Sequence, residues 1–339
     1  MGIAPHFRSR LNILNLINNI WQALTPMTVI TAVESVIKEN LTNFCMPRNS
    51  YINRVYEVET QSKERFIVKF YRPNRWSEAM ILGEHSFLQK CRALELPVIP
   101  PLTYDNKTLF TRQPTTEHSI SFAIFPKKGG RVIDELNEDL WKETGRLLGR
   151  IHCVGETIKE SDRTCWRPSI ATQRHLRTLE ESTLIPQDYV AGFGNAVRQF
   201  IQQSDPLFNA QDTILIHGDC HFGNIIYRPD ESLYLVDFDD SVMGPPVQDL
   251  WMLLPDSIEN CQKELLWFID GYSTFRDFSE RSLRLIPALR VMRQMHFSAW
   301  CAIQSIDVHF KHHFPEWGSI KYWNTLLKDI MAFKCDTND

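Results

Sequence analysis

The 339-residue sequence lacks a strong charge excess, a long apolar run and a paired cysteine motif. A formal net charge of -4 gives no electrostatic reason to expect nucleic acid as a partner. No apolar run approaches the roughly 18 residues that a membrane span needs, so we expect no membrane association. The eight cysteines are scattered without a CxxC, which is typical of reduced thiols in a cytoplasm. We therefore expect a cytoplasmic protein and a monomer.

The N-terminal stretch RSRLNILNLINNIWQAL, at 8–24, is rich in apolar residues and needs a separate explanation. Its larger apolar residues share a helical face: Leu14, Ile17, Trp21 and Leu24. We favour a packing helix, or residues upstream of the true start, over a membrane-surface anchor. Residues 1–24 are treated as an unassigned N-terminal extension. Thr25 and Pro26 then predict an N-cap and a first helical residue.

The pattern of the remaining chain changes at PKKGG, 126–130. Before it, short alternating runs predict strands at 51–59, 65–71, 98–104, 108–113 and 119–125, with a helix at 77–93 that Ser77 caps. After it, periodicity predicts helices at about 137–158, 187–204, 260–272, 282–306 and 320–333. We therefore predict an α+β, bilobal fold: a β-rich lobe at 25–126 and a mostly helical lobe at 127–339, with a cleft at their joint.

Two short apolar runs that each end in polar residues carry the chemical signal. They are LIHGDCHFGNIIY at 215–227 and YLVDFDD at 234–240. Asp219 and Asn224 have the spacing of Asp and Asn in the H-R-D-x-x-x-x-N loop of phosphoryl-transfer enzymes. A hydroxyl nucleophile needs a carboxylate to orient it and accept its proton, which suits Asp219. Magnesium needs oxygen ligands, which Asn224 and Asp237 supply.

Structural roles compete with this interpretation. Asp and Asn in loops usually cap helices or satisfy turns, but the compound pattern favours function. His217 is predicted to be a buried hydrogen-bonding brace of the loop rather than a proton carrier. Cys220 and His221 suggest metal ligation, yet two such ligands without partners elsewhere make a poor zinc site. We predict that strands at about 214–216 and 233–236, joined through the turn RPDES, bring the two loops together.

Several stretches together resemble one family. HGDCHFGN and VDFDD look like the aminoglycoside phosphotransferase and choline kinase superfamily, which has a protein-kinase-like bilobal fold. NSYINRVYEVE, RFIVKFYRPNRW, LGEH, FAIFPKKGGR, GRLLGRIH and GPPVQDLWMLL resemble the stress response kinase A family, bacterial serine/threonine protein kinases of that superfamily. The resemblance runs in order from about Leu24 to Trp300.

The resemblance implies a role for each matching residue. It makes Asp219 the proton acceptor, Asn224 and Asp237 magnesium ligands, with Asp237 also catalytic, and it places Ser50 at the nucleotide. Lys69, in a β3-like strand, would contact the α- and β-phosphates, and Glu84 would pair with it. The alternative for Lys69 is an exposed strand lysine. Asp249 we interpret as structural: it could accept backbone N–H groups of the catalytic loop.

Two departures from ordinary protein kinases follow. NSYIN, 49–53, stands where a G-x-G-x-x-G loop would cover phosphates. Only eleven residues separate Asp237 from Asp249, without an A-P-E, so the substrate must be presented differently.

We therefore expect an ATP- and Mg²⁺-dependent phosphotransferase whose acceptor is a serine or threonine hydroxyl on a protein. A small-molecule hydroxyl kinase of the aminoglycoside, choline or homoserine type is the alternative enzyme. A nucleotide-dependent binding protein without turnover is the alternative from another class.

Overall fold

The structure of the chain, a computed structural model, describes residues 16–115, 118–133, 135–208, 213–228, 232–305, 307 and 310–334. The strands are β1 (Leu41–Arg48), β2 (Arg54–Thr60), β3 (Arg65–Phe70), β4 (Phe110–Arg112), β5 (Ile120–Pro126), β6 (Arg131–Val132), β7 (Ile214–Ile216), β8 (Ile225–Arg228), β9 (Ser232–Leu235) and β10 (Val242–Gly244). The α-helices are α1 (Leu16–Ala23), α2 (Pro26–Ile37), α3 (Glu78–Ala93), α4 (Glu138–Glu156), α5 (Gln173–Ser182), α6 (Gln187–Ser204), α7 (Val247–Trp251), α8 (Gln262–Tyr272), α9 (Ile286–Gln304), α10 (Phe310–His313) and α11 (Ile320–Ala332).

The chain divides into two units, and the first of them is discontinuous. Unit 1 comprises Met1–Glu135 together with Phe222–Asp239, and unit 2 comprises Leu136–His221 together with Asp240–Asp339. Unit 1 contains a five-stranded antiparallel sheet in the order β1-β2-β3-β5-β4, and a three-stranded sheet in the order β6-β8-β9. Unit 2 contains most of the helices and the two-stranded sheet β10-β7.

Side-chain caps set the start of two helices of unit 1, as the sequence predicted. The Thr25 hydroxyl accepts a hydrogen bond from the Thr28 N–H at 3.2 Å, and Pro26 is the first residue of α2. The Ser77 hydroxyl accepts from the Met80 N–H at 3.2 Å at the start of α3. These oxygens satisfy N–H groups that have no partner within the helix. Helix α2 ends at Ile37, two residues before the end at about Glu39 that the sequence predicts, because Lys38 adopts a left-handed conformation, with φ 58°.

The short helix α1 packs into the core of unit 1. Ile20 and Leu24 are buried together with Val33, Val58 and Phe122, which is the environment that a packing helix requires. Residues 8–15, which include Leu14, lie outside the described residues. Within the described ranges, no single helix is long and apolar enough to cross a membrane, and α1 and α2 pass that test only as a pair bent by 77°.

Three strand predictions needed correction. Strand β1 was not predicted, because it is an edge strand whose partly exposed residues do not alternate; Pro47 is tolerated there since only β2 pairs with it. Residues 98–104 form no named strand; Val98 makes only an isolated bridge to Leu235, because Pro100 and Pro101 have no N–H to donate. The hairpin partner of β9 is β8, not β7 as predicted, and β7 pairs with β10; residues 229–231 of RPDES lie outside the described residues.

The helices of unit 2 occur close to their predicted positions, apart from α5 and the short α7 and α10, for which no range was predicted. Helices α4 and α8 pack with their backbones in close approach, and glycines make this possible. A Cβ atom on Gly145 would lie 2.2 Å from the Phe268 carbonyl oxygen, and one on Gly271 would lie 2.0 Å from the Lys142 carbonyl oxygen. Larger residues would push the two helices apart. Helix α4 also packs against β7, the strand that leads into the candidate catalytic loop.

Candidate active site

The β8–β9 hairpin of unit 1 brings the two predicted metal ligands to one end. Its register pairs Ile225 with Leu235, and the Val236 N–H donates to the Asn224 carbonyl oxygen at 3.0 Å. Asn224 therefore lies directly before β8 and Asp237 lies just after β9, at the same end of the hairpin. Asn224 is buried, whereas the Asp237 side chain is 58% exposed. Asp237 has φ 61°, a left-handed conformation that aspartate adopts more readily than most residues.

Lys69 is a buried lysine surrounded by carboxylates of unit 1. It lies in β3, a central strand between β2 and β5, and its side chain is only 11% exposed. Its Nζ atom lies 3.2 Å from Asp239 Oδ1, 3.3 Å from Asp237 Oδ1 and 4.0 Å from Glu84 Oε1. Burial alone would lower the pKa of Lys69, but the three carboxylates outweigh it and hold that pKa well above its ordinary value. The alternative of an exposed strand lysine is excluded.

Asp239 is the residue that sequence reasoning missed in this cluster. It is buried, and besides Lys69 it pairs with Arg75, whose Nη1 lies 3.0 Å from Asp239 Oδ2. The Asn53 side-chain amide donates to the same Asp239 oxygen at 3.3 Å, and the Asn53 Oδ1 accepts from the Arg72 N–H at 3.0 Å. Asp239 thus links the start of β2 to the segment that follows β3.

Ser50, the predicted nucleotide contact, lies in the loop between β1 and β2 and is half-buried. It is three residues before Asn53, whose side chain takes part in the Asp239 network. Glu84 is buried in α3, and its Oε1 lies 4.0 Å from Lys69 Nζ.

In unit 2, Asp249 holds the backbone of the HGD motif. One of its oxygens accepts from the His217 N–H at 2.8 Å and the other from the Gly218 N–H at 2.7 Å. His152 Nε2 lies 3.0 Å from the first oxygen, and all of these groups are buried. The predicted structural role of Asp249 is confirmed. Gly218 has φ 82°, and a Cβ there would lie 2.5 Å from the Asp240 carbonyl oxygen, so this position requires glycine.

His217 braces the loop that carries Asp219. It is fully buried, and its Nδ1 accepts a hydrogen bond from the Asp219 N–H at 3.2 Å. An acceptor role at Nδ1 requires that this nitrogen be unprotonated, which agrees with the predicted bracing role. The Asp219 side chain is therefore oriented through its own backbone.

The Asp219 carboxylate faces basic side chains of unit 2. Arg293 Nη2 of α9 lies 2.6 Å from Asp219 Oδ1, and His221 Nε2 lies 3.6 Å from Oδ2. Burial would raise the pKa of Asp219, but the hydrogen bond from His221 and the charge of Arg293 outweigh it and hold that pKa well below its ordinary value. Asp219 is therefore ionised at neutral pH. No local signal in the sequence pointed to Arg293.

The donor atoms fit a magnesium ion better than a zinc ion. Burial raises the pKa of the Cys220 thiol well above its ordinary value, which disfavours the thiolate form that a zinc ligand needs. In the described part of the chain, no group of three or more His, Cys, Asp and Glu side chains could hold a metal ion. Asn224 and Asp237 offer oxygen ligands, the kind that magnesium prefers, and phosphate oxygens of a nucleotide would complete such a site.

Three features follow one another along the chain: a buried lysine held by carboxylates on an antiparallel sheet, an HGD loop, and a hairpin with Asn and Asp at one end. Together they are typical of phosphotransferases. The model of the phosphotransferase enzyme family matches residues 46–286, and the chain belongs to that family. It is 36% identical over 309 residues to stress response kinase A of Escherichia coli K12, with 89% of this chain and 90% of that protein covered. It is 35% identical over 311 residues to the serine/threonine protein kinase RdoA of Salmonella typhimurium, with the same coverage of each chain. The predicted family is confirmed.

Solved structures show the same fold. The amicoumacin kinase hAmiN, in complex with AMP-PNP, Ca²⁺ and Ami, has a TM-score of 0.75 at 19% identity and covers 94% of this chain and 98% of its own. The choline kinase LicA from Streptococcus pneumoniae has a TM-score of 0.59 at 17% identity and covers 90% of this chain and 98% of its own. The predicted α+β fold of the aminoglycoside phosphotransferase type is confirmed.

Proposed function

We propose that this phosphotransferase moves the γ-phosphoryl group of ATP, in the presence of Mg²⁺, to a serine or threonine hydroxyl of a protein. The observation that carries the nucleotide part is the position of Lys69, whose Nζ lies 3.3 Å from the exposed Asp237 and is backed by the buried Glu84 and Asp239. A lysine fixed in this way is ready to bind the α- and β-phosphates. Ser50 is proposed to contact the nucleotide from the adjoining loop.

Asn224 and Asp237 are the proposed magnesium ligands, because one hairpin end supplies both an amide oxygen and a carboxylate. A magnesium ion bound there would neutralise charge on the phosphates and orient them. The exposed carboxylate of Asp237 favours this role, since it is accessible to an ion shared with a nucleotide.

Asp219 is the proposed base. It is ionised, and its backbone is held by His217 and, through the preceding residues, by Asp249. A carboxylate of low pKa orients the acceptor hydroxyl well and takes its proton only as the bond to phosphorus forms. The proton of the hydroxyl passes to an oxygen of Asp219.

The protein acceptor is supported by the relatives of this chain, one of which is named a serine/threonine protein kinase and is similar over 89% of the chain. The test is incubation of the purified protein with γ-labelled ATP, first alone, then with generic protein substrates and with a panel of small alcohols. We expect phosphoserine or phosphothreonine on the enzyme or on an added protein, formed about 10²-fold or more slowly with Asp219→Asn. Turnover on a choline-like or sugar alcohol without any phosphoprotein would establish the small-molecule alternative. Nucleotide binding without any labelled product would establish the binding protein.

A further inference from the structure

Arg293 stands out in unit 2 because it lies against the proposed base, although it is far from it in the chain. It belongs to α9, a 19-residue helix whose buried face includes Leu289, Met292 and Met295. Its side chain is 30% exposed, and the guanidinium lies against Asp219, with Nη2 at 2.6 Å from Oδ1. This contact uses one nitrogen of a group that has five N–H donors in a planar fork.

The position of an acceptor hydroxyl follows from the position of Asp219. A hydroxyl that is oriented by this carboxylate must lie within about 2.6–3.2 Å of one of its oxygens. Oδ1 already faces Arg293, and Oδ2 faces His221 at 3.6 Å. Groups within a few bonds of the hydroxyl therefore lie close to the guanidinium of Arg293, whichever oxygen accepts the proton.

The consequence concerns the charge of the acceptor. An unpaired Asp219 would attract a cationic acceptor, whereas a carboxylate paired with Arg293 offers no net attraction to a positive charge. A carboxylate on the acceptor, in contrast, finds a guanidinium that has further N–H groups to donate. Charges placed against a like charge at a recognition site suppress the wrong partner.

We propose that Arg293 sets the charge preference of the acceptor site, which selects hydroxyl groups flanked by acidic residues and disfavours those flanked by cations. This inference deepens the proposed function and rests on one part of it, since it takes Asp219 as the base that orients the acceptor hydroxyl. It assigns a recognition role to α9, which lies outside the HGD loop.

The test compares two peptides that each contain one serine and differ only in having glutamate or lysine on both sides of it. For the unaltered enzyme we expect kcat/KM to be about tenfold higher for the glutamate peptide, as for partly screened charge pairs. Arg293→Gln should bring this ratio close to one, whereas Arg293→Lys, which keeps the charge, should retain most of it. Using a ratio separates charge selection from a general loss of rate, which would affect both peptides equally.

Arg290→Gln is the matched control. Arg290 lies on the same helix, one turn away, but it is exposed, donates to the Asp256 carbonyl oxygen at 3.3 Å and lies over the Trp251 ring. Its removal should leave the peptide ratio unchanged, and thermal unfolding should show that each variant is folded. A ratio near one in the unaltered enzyme, or a ratio that Arg293→Gln leaves intact, would overturn the inference.

A second pair of acceptors, glycerate and aminopropanol, separates this inference from the proposed function. If neither peptide is phosphorylated but glycerate is preferred to aminopropanol, and Arg293→Gln abolishes that preference, the protein acceptor is rejected and the charge rule stands. If aminopropanol is the better acceptor, both are rejected. Turnover of none of the four acceptors would also reject both.

Discussion

Units 1 and 2 each hold one charged group of the proposed reaction, and they hold it in opposite ways. In unit 1, Lys69 is a buried cation among three carboxylates, so its position does not depend on any single one of them. In unit 2, Asp219 is an anion among basic side chains. Its position depends on the two preceding residues, whose backbone N–H groups both donate hydrogen bonds to a single side chain, that of Asp249. The difference indicates that unit 1 tolerates the loss of one partner, whereas the loop of unit 2 does not.

The largest effect is expected at the base itself. Asp219→Asn should lower kcat by about 10²-fold or more while leaving ATP affinity nearly unchanged, because an amide cannot accept the proton of the hydroxyl. Steady-state kinetics with a protein acceptor and equilibrium binding of ATP measure the two quantities. Near-normal turnover in this variant would show that Asp219 is not the base.

The next effect concerns the dependence of the loop on Asp249. Asp249→Asn keeps the shape of the side chain but replaces one acceptor oxygen with a donor that faces a buried N–H. We expect the free energy of unfolding to fall by roughly 2–4 kcal/mol, the size of effect seen when a buried polar network loses a member, and turnover to fall with it. Chemical denaturation measures the first quantity.

The control for that experiment is Asp270→Asn, in which an exposed aspartate that pairs with Lys142 loses its charge. It should change the free energy of unfolding by no more than about 0.5 kcal/mol, as is usual at the surface. Equal losses in both variants would mean that Asp249 does not hold the loop.

The metal ligands of unit 1 are expected to give an intermediate effect. Asp237→Ala and Asn224→Ala should each raise the Mg²⁺ concentration for half-maximal rate by about tenfold or more, because each removes one oxygen ligand. A magnesium titration at saturating ATP measures this shift. Activity that resists a chelator, or that is lost only when Cys220 and His221 are changed, would contradict the assignment.

Glu84 provides a smaller and more direct test of redundancy in unit 1. Glu84→Gln removes the most distant of the three carboxylates around Lys69, at 4.0 Å, and leaves Asp237 and Asp239 at 3.3 Å and 3.2 Å. We expect ATP affinity to fall only about threefold, in keeping with one weakened charge contact. A loss as large as that of Lys69→Met would show that Glu84 alone fixes the lysine.

The smallest effect is expected at Ser241, the only hydroxyl residue between Asp237 and Asp249. Ser241 is buried just before β10, and Pro245 and Pro246 restrict the backbone that follows. We expect activity without phosphorylation of this segment, so Ser241→Ala and phosphatase treatment should leave kcat unchanged. Activity that vanishes on stripping, returns on self-phosphorylation and fails to return in Ser241→Ala would overturn this expectation.

Local features of the fold and site could be predicted because the residues that determine them are adjacent in sequence. Ser77 and Met80, three residues apart, begin α3, and the HGD loop with its brace His217 spans a few positions. Asp249 was predicted to hold that loop because it lies at a predicted helix start, where a carboxylate can accept hydrogen bonds from backbone N–H groups.

Long-range choices could not be predicted in the same way. VDFDD contains three carboxylates, and only the packing of Asp239 against Lys69 and Arg75 distinguishes it from its neighbour Asp240. Arg290 and Arg293 are both arginines of α9, and nothing in the sequence distinguishes their roles. In the structure, Arg293 contacts Asp219, whereas Arg290 contacts the Asp256 carbonyl oxygen. Tertiary contacts determine these roles, and such contacts cannot be deduced from a single sequence.

The β8–β9 hairpin has a consequence for how the gene of this enzyme could be divided. The strands belong to unit 1, but they are encoded within the stretch that otherwise encodes unit 2. A fragment that ends at residue 135 would keep Lys69 and Glu84 and lose Asp237 and Asp239, two of the three carboxylates that hold the lysine. Exchange of N-terminal segments between related enzymes would therefore mix a lysine from one parent with the acids of another. Recombination that preserves nucleotide binding must carry both pieces of unit 1 together.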